Sequence, residues 1–129
     1  MNRELDKKLL EKYPKLFPQN RRIQESLMPY FGFECGDGWY VLIESVCFYL
    51  QNETDQNNAP QPEIIQVKEK FGELRIYADN TNERQQNIID FAEILSGRTC
   101  EECGKMKTGI MRTDGWMKAV CDECLNKEK

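Results

Sequence analysis

Four cysteines near the C-terminus place the strongest constraint on how this chain can fold. Cys100 and Cys103 form a C-x2-C element, seventeen residues follow, and Cys121 and Cys124 form a second one. Paired elements at this separation are typical of metal sites in a reducing compartment. Gly104, directly after the first pair, allows the positive φ that turns backbone N–H groups toward the sulfurs of a knuckle. The pattern therefore predicts one metal ion held by four thiolates.

The segment between the two pairs has the pattern of a β-hairpin. Residues 108–113 and 116–120 would form the strands, with Asp114 and Gly115 in a type I′ turn. A hairpin with a knuckle at each base is a zinc ribbon, here over residues 98–129. Two disulfides, a C-x2-C redox pair and an iron–sulfur cluster are the alternatives. Four thiolates leave no open coordination position, so we expect one structural Zn²⁺ rather than a catalytic ion.

The chain of 129 residues contains no histidine. This excludes the most common general base, the Ser–His and Cys–His nucleophile pairs and mixed Cys/His metal sites. Cys47 falls on the apolar face of a predicted helix and is expected to be buried. Cys35 precedes the predicted start of that helix, a position that can lower a thiol pKa. We expect no enzymatic activity, with a Cys35-dependent enzyme as an alternative.

Residues 1–97 have the patterns of an α+β body. Apolar side chains recur every three or four residues in some segments, which indicates helices. In others they alternate with polar side chains, which indicates strands. The predicted elements are an N-terminal helix, a central helix over 37–51, a hairpin over 63–79 and a helix over 81–96. The predicted fold class is α+β, with two main helices packed on a β-hairpin or small antiparallel sheet and a C-terminal zinc-ribbon hairpin. A body of this size can build its own core, so we expect that core to be separate from the ribbon.

Capping and turn residues set the expected limits of these elements. Asp37 is expected to be the N-cap of the central helix. The polar residues 51–62 predict a loop, because they include prolines and no apolar pattern. A Gly-X pair that begins at Gly72 predicts a type II′ turn, which would place Phe71 opposite Leu74.

The net charge of −4 is distributed unevenly, since residues 31–97 hold twelve acidic and four basic side chains. Most nucleic-acid-binding proteins present a basic surface, whereas this segment is acidic. An acidic segment suits contact with a basic protein surface. A nucleic-acid-binding module is nevertheless an alternative function. It would use basic and aromatic residues of the ribbon to contact phosphates and bases, namely Lys105, Lys107, Arg112, Trp116 and Lys118.

No segment has the pattern of a membrane span or a secretory signal. The longest near-apolar run, residues 39–50, contains Glu44 and Ser45 and is shorter than the ~20 residues that a span requires. The N-terminal residues are charged where a signal peptide would be apolar. We therefore expect a cytoplasmic protein that makes no membrane contact.

Three stretches of the chain resemble a family of uncharacterised small proteins encoded by phages and prophages, which carry a C-terminal zinc ribbon. They are residues 31–40, residues 66–75 and the ribbon from Cys100 to Leu125. Members of that family often end the ligand set with histidine, where this chain has Cys124. The resemblance implies a phage-related origin and action in the host cytosol. Because such accessory proteins often bind a host machine, it implies a modulator or inhibitor, of the anti-CRISPR or another anti-defence type, whose partner is a host protein or ribonucleoprotein complex.

Overall fold

Helix α1 spans Arg3–Lys12 in the computed structural model, which describes residues 1–18, 32–113 and 115–127. The side-chain oxygen of Asn2 caps this helix by accepting the backbone N–H of Leu5 at 2.9 Å. Asp37 does not cap the central helix as expected. Its carboxylate instead accepts the backbone N–H of Asn2 at 2.7 Å and the Asn2 amide at 3.0 Å. These bonds tie the start of α1 to the start of the central helix.

The central helix is longer than its apolar pattern predicts. A 3₁₀ turn, Asp37–Trp39, leads into helix α2, Tyr40–Asn57. The last turns are polar and are stabilised by side-chain hydrogen bonds. The Tyr49 hydroxyl and the Asn57 amide donate to the Glu53 carboxylate at 2.9 and 2.8 Å. The prediction of a loop over residues 51–62 is therefore wrong for its first half.

A three-stranded sheet in the order β1-β2-β3 packs against the helices. Its strands are β1 (Phe33–Glu34), β2 (Glu63–Lys70) and β3 (Glu73–Asp79). Strands β2 and β3 pair antiparallel, as the hairpin pattern predicts. Strand β1, which the sequence did not predict, pairs parallel to β2.

The turn between β2 and β3 differs from the prediction by one residue. Lys70 lies opposite Glu73, so the turn residues are Phe71 and Gly72. Their φ values are +54° and +80°, which is the left-handed backbone of a type I′ turn. The predicted type II′ turn is therefore wrong, and so is the predicted pairing of Phe71 with Leu74. Phe71 is 64% exposed at the tip of the hairpin, whereas Leu74 is buried.

Replacing Phe71 with asparagine is expected to stabilise the protein. A left-handed conformation costs a residue other than glycine about 1–2 kcal/mol, and asparagine tolerates it better than most. Because the Phe71 side chain is largely exposed, little apolar burial is lost. We expect a gain of about 1 kcal/mol in the free energy of unfolding, measured by urea denaturation. A loss of stability in Phe71→Asn would show that the side chain makes contacts worth more than the backbone strain.

Helix α3, Glu83–Ser96, joins the helical layer to the sheet. The buried Gln85 side chain donates to the carbonyl of Leu50 on α2 at 3.1 Å. At the other end of α3, the hydroxyl of Ser96 accepts the backbone N–H of Leu74 on β3 at 2.9 Å. Because both buried polar groups are satisfied, α3 is fixed against α2 and β3 at the same time.

The ribbon segment continues the same hydrophobic core. It contains strands β4 (Met111–Arg112) and β5 (Lys118–Ala119), which pair antiparallel, and helix α4 (Asp122–Lys127). Cys100, Ile110 and Ala119 belong to one buried cluster with Trp39 of the body. The expectation of a separate core for the body is therefore wrong. Asp114 of the predicted type I′ turn lies outside the described residues, and the division of the chain at residue 98 stays a prediction.

The four helices and small sheet of the described residues confirm the predicted α+β class. None of the helices in these ranges combines the length and hydrophobicity that crossing a bilayer requires.

Candidate metal centre

The first cysteine pair lies in a tight turn after α3. The backbone N–H of Cys100 donates to the carbonyl of Lys105 at 2.8 Å, and the N–H of Gly104 donates to the carbonyl of Cys100 at 2.8 Å. Gly104 has a φ of +83°, which an L side chain rarely adopts. The glycine expected from the sequence thus closes the knuckle and holds Cys103 beside Cys100.

The second pair spans the start of α4. Cys121 directly precedes this helix and Cys124 lies in its first turn. The backbone N–H of Cys121 donates to the sulfur of Cys100 at 3.3 Å. This bond joins the two knuckles.

The four sulfurs form one compact cluster. The ligand atoms of Cys100, Cys103, Cys121 and Cys124 all lie within 4.8 Å of one another. The sulfurs of Cys103 and Cys121 are 3.7 Å apart. A tetrahedron of sulfurs at ~2.3 Å from a metal has edges of about 3.8 Å, whereas a disulfide bond is ~2.05 Å long. The prediction that these four cysteines come together is confirmed, and their spacing suits ligation of one metal ion rather than disulfide bonding.

Burial and charge differ among the four cysteines. Cys100 and Cys121 are buried, Cys124 is half-buried and Cys103 is exposed. The backbone N–H of Cys124 and the neighbouring sulfurs lower the pKa of Cys121 to about 7. A thiolate is thus accessible near neutral pH at the position where the two knuckles join, and metal ligation requires that form.

The first knuckle is docked on the body through its backbone. The N–H of Gly38 donates to the carbonyl of Glu101 at 2.7 Å, and the indole N–H of Trp39 donates to the carbonyl of Thr99 at 2.9 Å. The N–H of Gly36 donates to the Glu101 carboxylate at 2.8 Å. Burial raises the pKa of this carboxyl group, because the contact removes it from water. The sequence patterns gave no indication of this interface.

The five residues proposed for nucleic-acid contact line two grooves, although Arg112 and Lys118 lie opposite each other on β4 and β5. Lys105, Lys107 and Arg112 line a groove of about 230 Å³ that also contains Asp122 and Glu123. Lys105 forms an ion pair with Glu123 at 3.7 Å, and Arg112 forms one with Asp122.

Trp116 and Lys118 line a different groove, of about 200 Å³, together with three glutamates, Glu69, Glu101 and Glu102. Both grooves therefore combine basic and acidic side chains, which weakens attraction to phosphate. Direct nucleic-acid binding stays a prediction.

Cys35 is expected to be unreactive in the folded protein. It is 9% exposed, and burial raises the pKa of its thiol to about 12. Only about one molecule in ten thousand would carry the nucleophilic thiolate at pH 8. We expect iodoacetamide to modify Cys35 at least about 100-fold more slowly in the native protein than in urea, as measured by mass spectrometry. The fully buried Cys47 provides the internal control. Rapid modification of Cys35 alone would support the alternative that the chain is a Cys35-dependent enzyme.

No protein-family model matches this chain, and neither a curated protein nor a solved structure matches it. The resemblance to small phage and prophage proteins therefore stays a prediction. What the geometry itself provides is a site for one metal ion, built from four cysteines and packed against the body.

Proposed function

We propose that this chain is a non-enzymatic binding protein whose fold is held together by one structural Zn²⁺. The compact cluster of four sulfurs carries the proposal, because four thiolates complete a tetrahedral coordination sphere and leave no position for substrate. An iron–sulfur cluster would distribute its four cysteines over two or more iron atoms, so that some of the sulfurs would lie farther apart than 4.8 Å. When bound, the ion supplies folding energy rather than reaction chemistry.

The non-enzymatic part of the proposal is supported by the nucleophiles and bases that the chain provides. The sequence has no histidine. Cys35, the thiol best placed by sequence to be a nucleophile, is buried and has a raised pKa. A protonated, buried thiol is a poor nucleophile.

The partner that we propose is a protein or ribonucleoprotein complex of a bacterial host cell, and the site of action is its cytosol. A narrower proposal is that the chain is an anti-CRISPR or other anti-defence modulator. It is supported by the resemblance of residues 31–40 and 66–75 to phage proteins. The excess of acidic side chains over residues 31–97 also supports it, because such a segment complements a basic protein surface.

Elemental analysis of the purified protein tests the metal. We expect one zinc per chain, retained after dialysis and lost after treatment with a strong chelator or at acid pH, where the thiolates are protonated. Iron in place of zinc, or no metal together with two disulfides found by mass spectrometry, would contradict the proposal.

Affinity capture tests the binding function. The immobilised zinc-loaded chain is expected to retain a specific protein or ribonucleoprotein from a bacterial lysate. The control is the same chain after chelation and alkylation of its cysteines. Retention that nuclease treatment abolishes would favour the nucleic-acid-binding alternative. Retention equal to that of the control would contradict a specific binding function.

A further inference from the structure

The outer face of helices α2 and α3 exposes four large apolar side chains. Val41 and Phe48 of α2 are 72% and 60% exposed, and Phe91 and Ile94 of α3 are 57% and 64% exposed. The spacing of seven residues on α2 and three on α3 places each pair on one face of its helix. Contacts such as that between Gln85 and Leu50 hold the two helices side by side. We call these four side chains the helical patch.

An apolar groove continues from this patch. It has a volume of about 530 Å³ and is lined by Val41, Leu42 and Leu95 from the two helices. Cys103 and Met106 of the first knuckle form another part of its lining, and Met106 is 58% exposed. Val41 belongs to both, so the groove borders the helical patch at the start of α2.

The exposed apolar area is that of a typical functional patch. Phenylalanine side chains bury roughly 150–250 Å² when fully covered, and valine and isoleucine somewhat less, so the four side chains together expose on the order of 400 Å². The largest apolar patch on a soluble monomer is of this size and is often an interaction site. The area is about half of the ~800 Å² that each partner buries in a standard interface.

The charges of the two helices determine what kind of partner fits. Together α2 and α3 carry six carboxylates and one cation, Arg84. Arg84 already lies 3.7 Å from the carboxylate of Glu53. Asp55, Glu83 and Asp90 are exposed on the same two helices. A second copy of this chain would bring the same excess of negative charge against itself, whereas a basic partner would neutralise it.

We propose that the helical patch and its groove bind a basic amphipathic helix of a partner protein. This deepens the proposed function and rests on it. Apolar side chains at i, i+3, i+4 and i+7 of the partner helix cover Phe48 and Phe91 and enter the groove beside Met106. Lysine or arginine side chains on the flanks of that helix approach Asp55, Glu83 and Asp90. Burial of the aromatic anchors supplies most of the affinity, and the charges select a basic partner.

A synthetic peptide tests this surface with the zinc-loaded full chain. The probe is a helix of about 18 residues made of leucine and lysine in the i, i+3, i+4, i+7 pattern. The control peptides are a scrambled sequence of the same composition and a leucine–glutamate peptide of the same pattern. We expect saturable one-to-one binding of the leucine–lysine peptide in calorimetry, weakened by salt, and no binding of either control.

Matched phenylalanine variants locate the contact. Phe48→Gln and Phe91→Gln are each expected to weaken peptide binding about tenfold. Phe71→Gln, at an equally exposed phenylalanine on the hairpin tip, is expected to leave it unchanged. All three side chains are exposed, so circular dichroism should show folded proteins. Ile94→Gln provides a further patch variant if one of the phenylalanine variants fails to fold.

Three results would overturn the docking proposal. They are equal effects of Phe71→Gln and Phe91→Gln, binding of the scrambled peptide, and a dimer in sedimentation equilibrium that Phe91→Gln dissociates. If lysate capture succeeds and is unchanged by Phe91→Gln, the binding function stands and this surface is wrong. If the peptide binds as expected but lysate capture equals its control, the surface is supported and the proposed cellular function is wrong.

Discussion

The Cys100→Ser variant is expected to lose its metal and a large part of the stability of the whole chain. Metal ligation contributes about 10–16 kcal/mol of apparent free energy in zinc-finger peptides at neutral pH. Cys100 is also fully buried in the core that contains Trp39. We expect the free energy of unfolding to fall by on the order of 5 kcal/mol or more, which lowers Tm by roughly 15 °C or more for a domain of this size. Elemental analysis and thermal denaturation followed by circular dichroism measure the two losses.

Two further cysteine variants separate the metal from the packing. Cys103 is exposed, so Cys103→Ser removes a ligand without disturbing the core, and its loss of stability reports the metal alone. Cys47→Ala leaves all four ligands in place and should retain one metal ion per chain. Retention of the metal by Cys100→Ser would show that the ligand assignment is wrong. An unchanged melting curve would show that the metal centre contributes nothing to the body.

Gly38→Ala is expected to destabilise the protein by about 3 kcal/mol, because the new methyl group has no room. A Cβ atom at Gly38 would lie 2.2 Å from the carbonyl oxygen of Cys100 and 2.6 Å from the backbone nitrogen of Gly104. Both atoms belong to the first knuckle, whose backbone the hydrogen bonds of the turn hold in place. Relief of the clash therefore requires the knuckle to move away from the body. Urea denaturation measures the loss.

Gly97→Ala is the matched control for this substitution. A Cβ atom there would lie at least 3.5 Å from its neighbours, and Gly97 has the helical φ of −67° that alanine readily adopts. We expect the free energy of unfolding to rise by a few tenths of a kcal/mol, because alanine reduces the conformational entropy of the unfolded chain. Equal stabilities of Gly38→Ala and Gly97→Ala would contradict the close docking of the knuckle.

Local patterns in the sequence were sufficient for the parts of the fold that depend on local chemistry. The C-x2-C spacing identified the four cysteines that come together, because knuckle geometry is fixed within a few residues. The apolar repeat identified the core of α2, since one helical face must be covered. Gly104 was assigned its positive φ for the same local reason.

The strand register could not be derived in the same way. The local turn preference predicted Gly72 as the first residue of the turn. In the structure the turn begins one residue earlier, and Phe71 adopts the left-handed conformation. The register is instead consistent with burial of Leu74 and Val67, helped by an irregularity between Ile64 and Gln66 that also leaves Ile64 in the core. Tertiary packing therefore overrides the local turn preference.

The docking of the knuckle was also beyond sequence patterns. The contact between Gly38 and Glu101 joins residues that are far apart in the chain, and only the folded backbone brings them together. In a single sequence, a glycine needed for close packing of two backbone segments cannot be distinguished from a glycine needed for a turn. The long polar end of α2 was missed although two of its hydrogen bonds, from Tyr49 and Asn57 to Glu53, are local. Its ion pair between Glu53 and Arg84 involves a second helix and could not be read from local patterns.

The docking of Gly38 and Trp39 on the first knuckle also has a kinetic consequence. The partners in this contact are separated by about sixty positions along the chain, so the loop between them must close before the contact can form. The knuckle therefore docks on the body only after α2, the hairpin and α3 have assembled between the two ends of that loop. The four cysteines themselves fall within 25 residues of the chain, so their sulfurs can meet before this docking step.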